Sequence, residues 1–298
     1  PDRGRYRRPL GQGQPHARAT DSVTIRRAKS GRALDPPMQP FVPASWLRER
    51  DDVAVVDVRD PWEYDSIGHL PDAVNVPFDA FRSDEGEAGK LPPREDWEEL
   101  LAAAGIGSDS EVVVYDDTQG VFASRFVVTA LLLGHDPERL HVLDGDFSSW
   151  QREYETSTDA VDRERAAYES DPEAETPLID FDAVEALLPA AESGDVTLVD
   201  TREDWEFAEG HLPGAVQLDW RELVDEETRG LRPESELREL LEARGIVPGK
   251  RTVLYCNTAR RVSHTYLVLR QLGYENVDLY EGSLTEWEER GGELVTEE

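Results

Sequence analysis

Cys256 is the residue best suited to covalent chemistry, since it is the only cysteine among the 298 residues. It follows residues 252–255, a short run typical of a buried strand, and a helical pattern begins soon after it. A tight turn from strand to helix directs backbone N–H groups inward, and the helix N-terminus adds partial positive charge. Arg260 and Arg261 lie in the same turn. We therefore expect Cys256 to ionise readily and to act as a nucleophile.

A buried and inert cysteine is the alternative interpretation, because free cysteines are among the most buried residues. Position along the chain does not separate the two interpretations. A single cysteine does exclude an intramolecular disulfide and a cysteine-based metal cage. The six histidines show no ligand spacing, so we predict neither a metal site nor a cofactor.

An internal repeat indicates which elements position Cys256. Residues 55–64 return, with similar sequence, as residues 198–207, and a Gly-His-Leu-Pro motif follows in both copies. Further along, Asp116 takes the place of Cys256 in the first copy. A repeat of this length indicates two copies of a whole domain.

Each copy alternates short β-branched runs with amphipathic stretches, a pattern typical of a helix-flanked parallel sheet. The predicted fold class is α/β, with a mainly parallel β-sheet flanked by helices in each of two domains. We predict a first domain over residues 38–152, an acidic linker over residues 153–176 and a second domain over residues 177–298. In open parallel sheets, ligands bind beyond the carboxyl ends of the strands, which is where Cys256 is predicted to lie.

Residues 1–37 form a basic segment with nine Lys or Arg and three Asp, and they lack an apolar period. Such a segment cannot bury enough surface to offset the entropy of ordering, so we expect it to be disordered. Since Met38 is the only methionine, we expect it to be the natural start and the upstream residues not to be native. A basic arm for an anionic partner and a transit peptide are the alternatives.

The rest of the chain is strongly acidic, with 61 Asp or Glu against 23 Lys or Arg. These carboxylates alternate with apolar residues throughout, a composition typical of halophilic proteins, which must stay hydrated in molar salt. Such a surface repels nucleic acid. No apolar run approaches the roughly 20 residues of a spanning helix, and no signal peptide opens the sequence. We therefore expect a cytoplasmic monomer with no membrane partner.

Several motifs together resemble those of the tandem-domain rhodaneses, the family of thiosulfate and 3-mercaptopyruvate sulfurtransferases. They are Asp-x-Arg-x-x-x-Glu-Tyr/Phe and Gly-His-Leu-Pro in both halves, the Cys256 loop, and the element Glu281-Gly282-x-x-x-x-Trp287. The resemblance covers residues 41–292. It implies two rhodanese-like domains, the first silent and the second catalytic, and a ping-pong reaction.

By this resemblance, Cys256 attacks the outer sulfur of thiosulfate, releases sulfite and holds the sulfur as a persulfide. A thiophilic acceptor then removes the sulfur, and cyanide, a thiol or a thioredoxin-like protein are the candidates. Arg261 is expected to pair with the departing sulfite. Arg260 could do the same, and a solvent-facing charge is the alternative for it. The predicted substrate-binding residues are Asn257, Thr258, Ala259, Arg260 and Arg261.

Features that both copies share are predicted to be structural, because the silent copy retains them. These features are the charged pairs Asp57–Arg59 and Asp200–Arg202, the loop-fixing His69 and His211, and the packing residues Trp62, Trp150, Trp205 and Trp287. The first loop differs from the second, since it carries Asp116 and Asp117. We expect these carboxylates to prevent the first loop from cradling an anion.

Cysteine-dependent phosphatases and arsenate reductases are the nearest enzymatic alternative. Those enzymes have five residues between the cysteine and the arginine of the loop, whereas four separate Cys256 from Arg261. The shorter loop suits a single sulfur atom. A non-catalytic binding module is the alternative of a different class. For the donor, the basic loop favours thiosulfate over 3-mercaptopyruvate. Glu206, however, stands where animal-type enzymes place a substrate-binding arginine.

Overall fold

The computed structural model describes residues 38–82, 91–257 and 259–297. The basic segment 1–37 and Thr258, which are both subjects of predictions above, lie outside the described residues. Met38 is buried in the hydrophobic core. Within the described part of the chain, no helix is long and apolar enough to cross a membrane.

The first domain is a five-stranded sheet with helices on both faces. Its strands are β1 (Phe41–Val42), β2 (Val53–Asp57), β3 (Val74–Asn75), β4 (Glu111–Tyr115) and β5 (Leu140–Leu143). They lie in the order β1-β5-β4-β2-β3, and every pairing is parallel. Its helices are α1 (Ala44–Arg48), α2 (Pro61–Ser66), α3 (Arg94–Ala103), α4 (Val121–Leu132) and α5 (Phe147–Trp150).

The second domain repeats this arrangement. Its strands are β6 (Leu178–Ile179), β7 (Thr197–Asp200), β8 (Ala215–Gln217), β9 (Thr252–Tyr255) and β10 (Val277–Tyr280). They lie in the order β6-β10-β9-β7-β8, again with parallel pairing throughout. Its helices are α6 (Phe181–Glu192), α7 (Asp204–Glu209), α8 (Glu234–Ala243), α9 (Arg260–Gln271) and α10 (Ser283–Glu289).

The strand order is the same in both domains, which confirms the predicted α/β fold class and the duplication. Strands β2, β7 and β9 are buried along their whole length and β4 is buried beyond its first residue, as a parallel sheet covered by helices requires. Alternate residues face opposite sides: Val56 and Val114 belong to one buried cluster, whereas Val55 and Val113 belong to another.

One hydrophobic core continues from the first domain into the second. Helix α4 packs against helix α9, and Phe126 shares a buried cluster with Leu267. Arg125 of α4 also forms an ion pair across the boundary with Glu281, with 2.7 Å between nitrogen and oxygen. Since α4 follows the Asp116 loop and α9 follows the Cys256 loop, the domain interface lies next to both loops.

The segment predicted to be an acidic linker packs against the first domain. Tyr168 is buried, and its hydroxyl accepts a hydrogen bond from Nε1 of Trp97 at 3.4 Å. Arg165 forms an exposed ion pair with Glu99 of α3. The chain between the two sheets therefore covers part of the first domain.

Candidate active site

Cys256 lies at the carboxyl end of β9, the central strand of the second sheet, and only 1% of its surface is exposed. The start of α10 holds its backbone. The Cys256 N–H donates to Oγ of Ser283 at 3.2 Å, and the Leu284 N–H donates to the Cys256 carbonyl at 3.0 Å. Helix α9 begins at Arg260. The predicted turn from strand to helix is therefore present, with Cys256 before the N-terminus of α9.

The turn into α9 contains a residue in the left-handed conformation. Ala259, a predicted substrate-binding residue, has φ +65° and is buried. Its carbonyl accepts a hydrogen bond from Oγ of Ser263 at 2.7 Å. Residues other than glycine rarely adopt this conformation, and those that do cluster at functional sites. The first N–H groups of a helix have no carbonyl partner within it, so those of α9 can bind an anion beside Cys256.

Arg261 has a carboxylate partner within the protein. Both terminal nitrogens of its guanidinium donate to Glu206 of α7, and Nδ2 of Asn257 donates to the same carboxylate at 2.8 Å. Burial tends to raise the pKa of Glu206, but the hydrogen bond from Arg261 and its positive charge outweigh burial, so the pKa is lowered. The side chains of Arg261 and Asn257 thus both bind Glu206, and their predicted part in substrate binding stays a prediction.

Arg260 has no carboxylate within salt-bridge distance among the residues that the structure describes. Its guanidinium carbon lies 5.0 Å from the ring centre of Phe122 and 5.7 Å from that of Phe78, and both rings belong to the first domain. Burial lowers the pKa of Arg260, and the interaction with Cys256 acts in the opposite direction. Arg260 is half-buried, and its predicted part in substrate binding stays a prediction.

The equivalent loop of the first domain closes around its own carboxylate. Asp116 is buried, and its two carboxylate oxygens accept hydrogen bonds from four backbone N–H groups. The donors, at 2.7–3.0 Å, belong to Thr118, Gly120, Phe122 and Ala123. Burial raises the pKa of Asp116, although these four groups act to lower it. The Asp116 side chain thus occupies these N–H groups itself, and the expectation that this loop cradles no other anion stays a prediction.

A cation from the second domain covers the first loop. Arg229 donates from Nε to the two carboxylate oxygens of Asp146 at 2.9 and 2.7 Å, and from Nη2 to the carbonyl of Asp117 at 3.0 Å. The N–H groups of the first loop therefore bind the Asp116 side chain, and Arg229 of the second domain lies over the loop.

The charged pairs and the histidines of the repeat have the structural roles predicted for them. Arg202 binds the Asp200 carboxylate through Nε and Nη2, at 2.9 and 2.6 Å, and the first domain has the same pair. His69 and His211 are buried, and each stacks on an aromatic ring with the centroids 4.0 and 3.7 Å apart. Each histidine also hydrogen-bonds a backbone carbonyl through Nδ1, which fixes the local loop.

The tryptophans of the repeat divide into two groups. Trp150 and Trp287 are buried, as predicted. Trp62 and Trp205 are 59% and 60% exposed, so the prediction that they pack in the core is wrong. Another aromatic residue of each short helix faces the core instead, and the exposed indole N–H bonds to the acidic residue that precedes the helix.

Sequence spacing did not reveal how Glu206, Phe78 and Phe122 contribute to the site. Both domains have a glutamate at this point of the repeat, but only the second has an arginine, Arg261, where the first has Val121. That difference was a usable signal for the pair between Glu206 and Arg261. The two phenylalanines approach from the other domain, and no motif marks them.

Comparison with known proteins matches both halves of the chain to one family. A family model described as a rhodanese-like domain matches residues 44–153 and 183–290. The thiosulfate sulfurtransferase of Pseudomonas aeruginosa is 34% identical over 235 residues, covering 74% of this chain and 82% of that protein. The thiosulfate sulfurtransferase of Corynebacterium glutamicum is 32% identical over 281 residues, covering 83% and 87%. The structure of SseA from Escherichia coli, described as a 3-mercaptopyruvate sulfotransferase, has a TM-score of 0.71 and 25% identity, covering 82% of this chain and 98% of that one.

Proposed function

The chain belongs to the rhodanese family and is a sulfurtransferase with two rhodanese-like domains, and we propose that it moves the outer sulfur of thiosulfate to cyanide or to a thiol. In this proposal Cys256 carries the sulfur as a persulfide between two half-reactions. The first domain performs no chemistry of its own and contributes side chains next to the catalytic loop.

The position of the Asp116 carboxylate is the observation that supports the proposal most. Its oxygens lie two bonds beyond Cβ, and N–H groups of the loop and of α4 hold them. The outer sulfur of a cysteine persulfide also lies two bonds beyond Cβ and carries a negative charge when ionised. The loop after β9 leads into α9 in the same way, so its N–H groups are suited to stabilise a persulfide on Cys256.

In the first half-reaction, the Cys256 thiolate attacks the outer sulfur of thiosulfate. A sulfur–sulfur bond forms at Cys256, the sulfur–sulfur bond of thiosulfate breaks, and the electron pair leaves with sulfite. Arg260 stabilises the charge on the departing sulfite, because no carboxylate among the described residues neutralises its guanidinium. Arg261 and Glu206 hold the loop that presents the thiolate.

In the second half-reaction, the acceptor attacks the outer sulfur of the persulfide. The bond between the two sulfurs breaks, and its electron pair returns to Cys256 as the thiolate. With cyanide as acceptor the product is thiocyanate. Ping-pong kinetics follow from this order, because sulfite leaves before the acceptor reacts.

3-Mercaptopyruvate is the second candidate donor, and the likeness to SseA supports it. Its carboxylate would pair with Arg260 in place of the sulfonate group of thiosulfate. Arg260, which has no carboxylate partner among the described residues, favours thiosulfate, because thiosulfate carries more charge than 3-mercaptopyruvate. A comparison of kcat/KM for the two donors decides between them, and a higher value with 3-mercaptopyruvate would assign that donor instead.

Intact-mass spectrometry after treatment with thiosulfate tests the proposal. We expect the protein to gain the mass of one sulfur atom and to lose it again when cyanide is added. The Cys256→Ser protein should gain nothing and should keep its fold. Substantial sulfur transfer by Cys256→Ser would place the site elsewhere. The acidic composition calls for measurement at high salt.

A further inference from the structure

Two phenylalanine rings of the first domain hold Arg260 of the second. Phe78 begins the short helical turn Phe78–Phe81, and Phe122 is the second residue of α4. The guanidinium carbon of Arg260 lies 5.7 and 5.0 Å from their ring centres, within the range of a cation–π interaction. The two rings meet edge to face at 4.9 Å, so together they form one aromatic surface against the arginine.

This aromatic surface is anchored in the core of the first domain. Phe78 packs edge to face on Phe81 at 5.3 Å, and Phe81 packs on Phe126 at the same distance. Phe81 is 1% exposed and Phe126 is fully buried. Phe78 is thus packed against the core and Phe122 against Phe78, so the two rings offer the guanidinium a preformed surface.

The arginines of this region are held in different ways. Arg261 binds the carboxylate of Glu206, and Arg82 binds that of Asp79 at 3.0 Å. Arg260 has no such partner in the described part of the chain. A carboxylate would compete with an anionic substrate for the guanidinium N–H groups. A ring face attracts the cation without accepting those hydrogen bonds, so the N–H groups stay available.

We propose that Phe78 and Phe122 are positioning residues, which set Arg260 in place for a negatively charged sulfur donor. The inference rests on the proposed function, since it takes Arg260 to be the group that meets the donor. It gives the silent domain a part in the donor half-reaction and none in the acceptor half-reaction. A guanidinium that is already fixed loses less freedom on binding, so the two rings lower the KM for thiosulfate.

Fluorinated phenylalanines at position 122 test this inference, because each fluorine withdraws electron density from the ring face and changes the ring volume little. We expect the KM for thiosulfate to rise with each added fluorine, reaching roughly three- to tenfold for the most fluorinated ring. The rate at which cyanide discharges a preformed persulfide should not change, because Arg260 meets the donor only.

The matched control is the same fluorine series at Phe181. Its ring centre lies 4.0 Å from the guanidinium carbon of Arg290, and it belongs to a different core cluster from that of Cys256. Both the KM and the discharge rate should stay constant there. Phe122→Leu should raise the KM for thiosulfate, whereas Phe122→Tyr, which keeps the ring face, should not.

A KM that stays constant across the series at Phe122, while Arg260→Gln raises it, would overturn the inference and leave the proposed function intact. If Arg260→Gln also leaves the KM unchanged, the donor binds elsewhere and the role given to Arg260 is wrong. If the unsubstituted protein takes up no sulfur from thiosulfate, the proposed function itself fails.

Discussion

The loop after β4 and the loop after β9 occupy the same place in two copies of one fold. They differ in their first residue. In the first, Asp116 extends its carboxylate to four backbone N–H groups. In the second, the side chain of Cys256 ends one atom sooner, and under the proposed function a sulfur taken from a substrate fills the remaining space at the start of α9. Under the proposed function, the fold provides the N–H groups that bind an anion. The first residue of the loop, Asp116 or Cys256, decides whether the loop transfers sulfur.

The charged residues around the two loops also differ. Helix α4 begins with Val121, preceded by Gly120, whereas α9 begins with Arg260 and Arg261. Across the first loop, Arg229 of the other domain binds Asp146. Arg229 thus balances part of the acidic charge around the first loop, while Arg260 of the second loop has no carboxylate partner among the described residues.

The largest effect is expected when Cys256→Asp turns the second loop into a copy of the first. Transfer from thiosulfate to cyanide should fall to the background rate, since no persulfide can form. The new carboxylate should accept N–H groups at the start of α9 and make Cys256→Asp more stable than Cys256→Ser by about 0.5–2 kcal/mol. Thiocyanate formation and denaturant unfolding measure the two effects. A Cys256→Asp protein less stable than Cys256→Ser would break the comparison.

Removing the anion from the first loop should cost stability and leave the chemistry unchanged. Asp116→Ala leaves four backbone N–H groups without their acceptor, two of them buried and two part-buried, so we expect the free energy of unfolding to fall by about 2–4 kcal/mol. The turnover per folded molecule should stay constant. Asp136→Ala is the control, because that exposed carboxylate accepts the N–H of Glu138 and pairs with exposed Arg139 at 3.7 Å, so its loss should cost about 1 kcal/mol or less. Equal losses for the two variants would contradict the account.

The two arginines of the second loop should respond differently. Arg260→Gln should raise the KM for thiosulfate by about 10- to 100-fold, equivalent to about 1.5–3 kcal/mol of a charge-assisted contact. Arg261→Gln should raise it less, since Glu206 already balances that charge. Steady-state kinetics with both variants measure this difference. A larger rise in KM for Arg261→Gln would mean that Arg261, and not Arg260, binds the donor.

The smallest expected effect is on the acid side of the stability profile. The pKa of Glu206 lies below its ordinary value of 4.5, because burial, which raises it, is outweighed by the hydrogen bonds from Arg261 and the Glu203 N–H together with the positive charge nearby. This carboxylate therefore adds stability above pH 4.5, and that stability is lost as the pH falls through the lower folded-state pKa. In Glu206→Gln, the free energy of unfolding should therefore fall less on acidification than in the unsubstituted protein, by about 1 kcal/mol or less.

The first domain supplies the control for that measurement. Glu63 is the counterpart of Glu206, but the position of Arg261 is taken by Val121. Acid unfolding of Glu63→Gln should therefore differ less from that of the unsubstituted protein than acid unfolding of Glu206→Gln does. A flattened curve for Glu63→Gln and an unchanged one for Glu206→Gln would show that the arginine is not the cause.

The fold was predictable because its signals are local or repeated. The similarity between residues 55–64 and 198–207 indicated two domains, and the short valine-rich runs indicated parallel strands. The turn that carries Cys256 was predictable for the same reason, since strand, turn and helix follow one another directly along the chain.

The remaining features depend on where side chains point. From the sequence alone, Asp116 is interpreted as a negative charge that repels anions. Only the fold shows that backbone N–H groups bind its oxygens. Trp62 and Trp205 look like core residues, yet another aromatic residue on the same helix faces the core. The rings around Arg260 belong to the other domain, so no local pattern could indicate them.

The most direct test of the central claim is a crystal structure of the protein after treatment with thiosulfate, with the two domains superposed. The account predicts a second sulfur on Cys256, within hydrogen-bond distance of N–H groups in the first turn of α9 and at the position that a carboxylate oxygen of Asp116 takes in the first domain. An outer sulfur that points away from α9 and binds none of these N–H groups would contradict it.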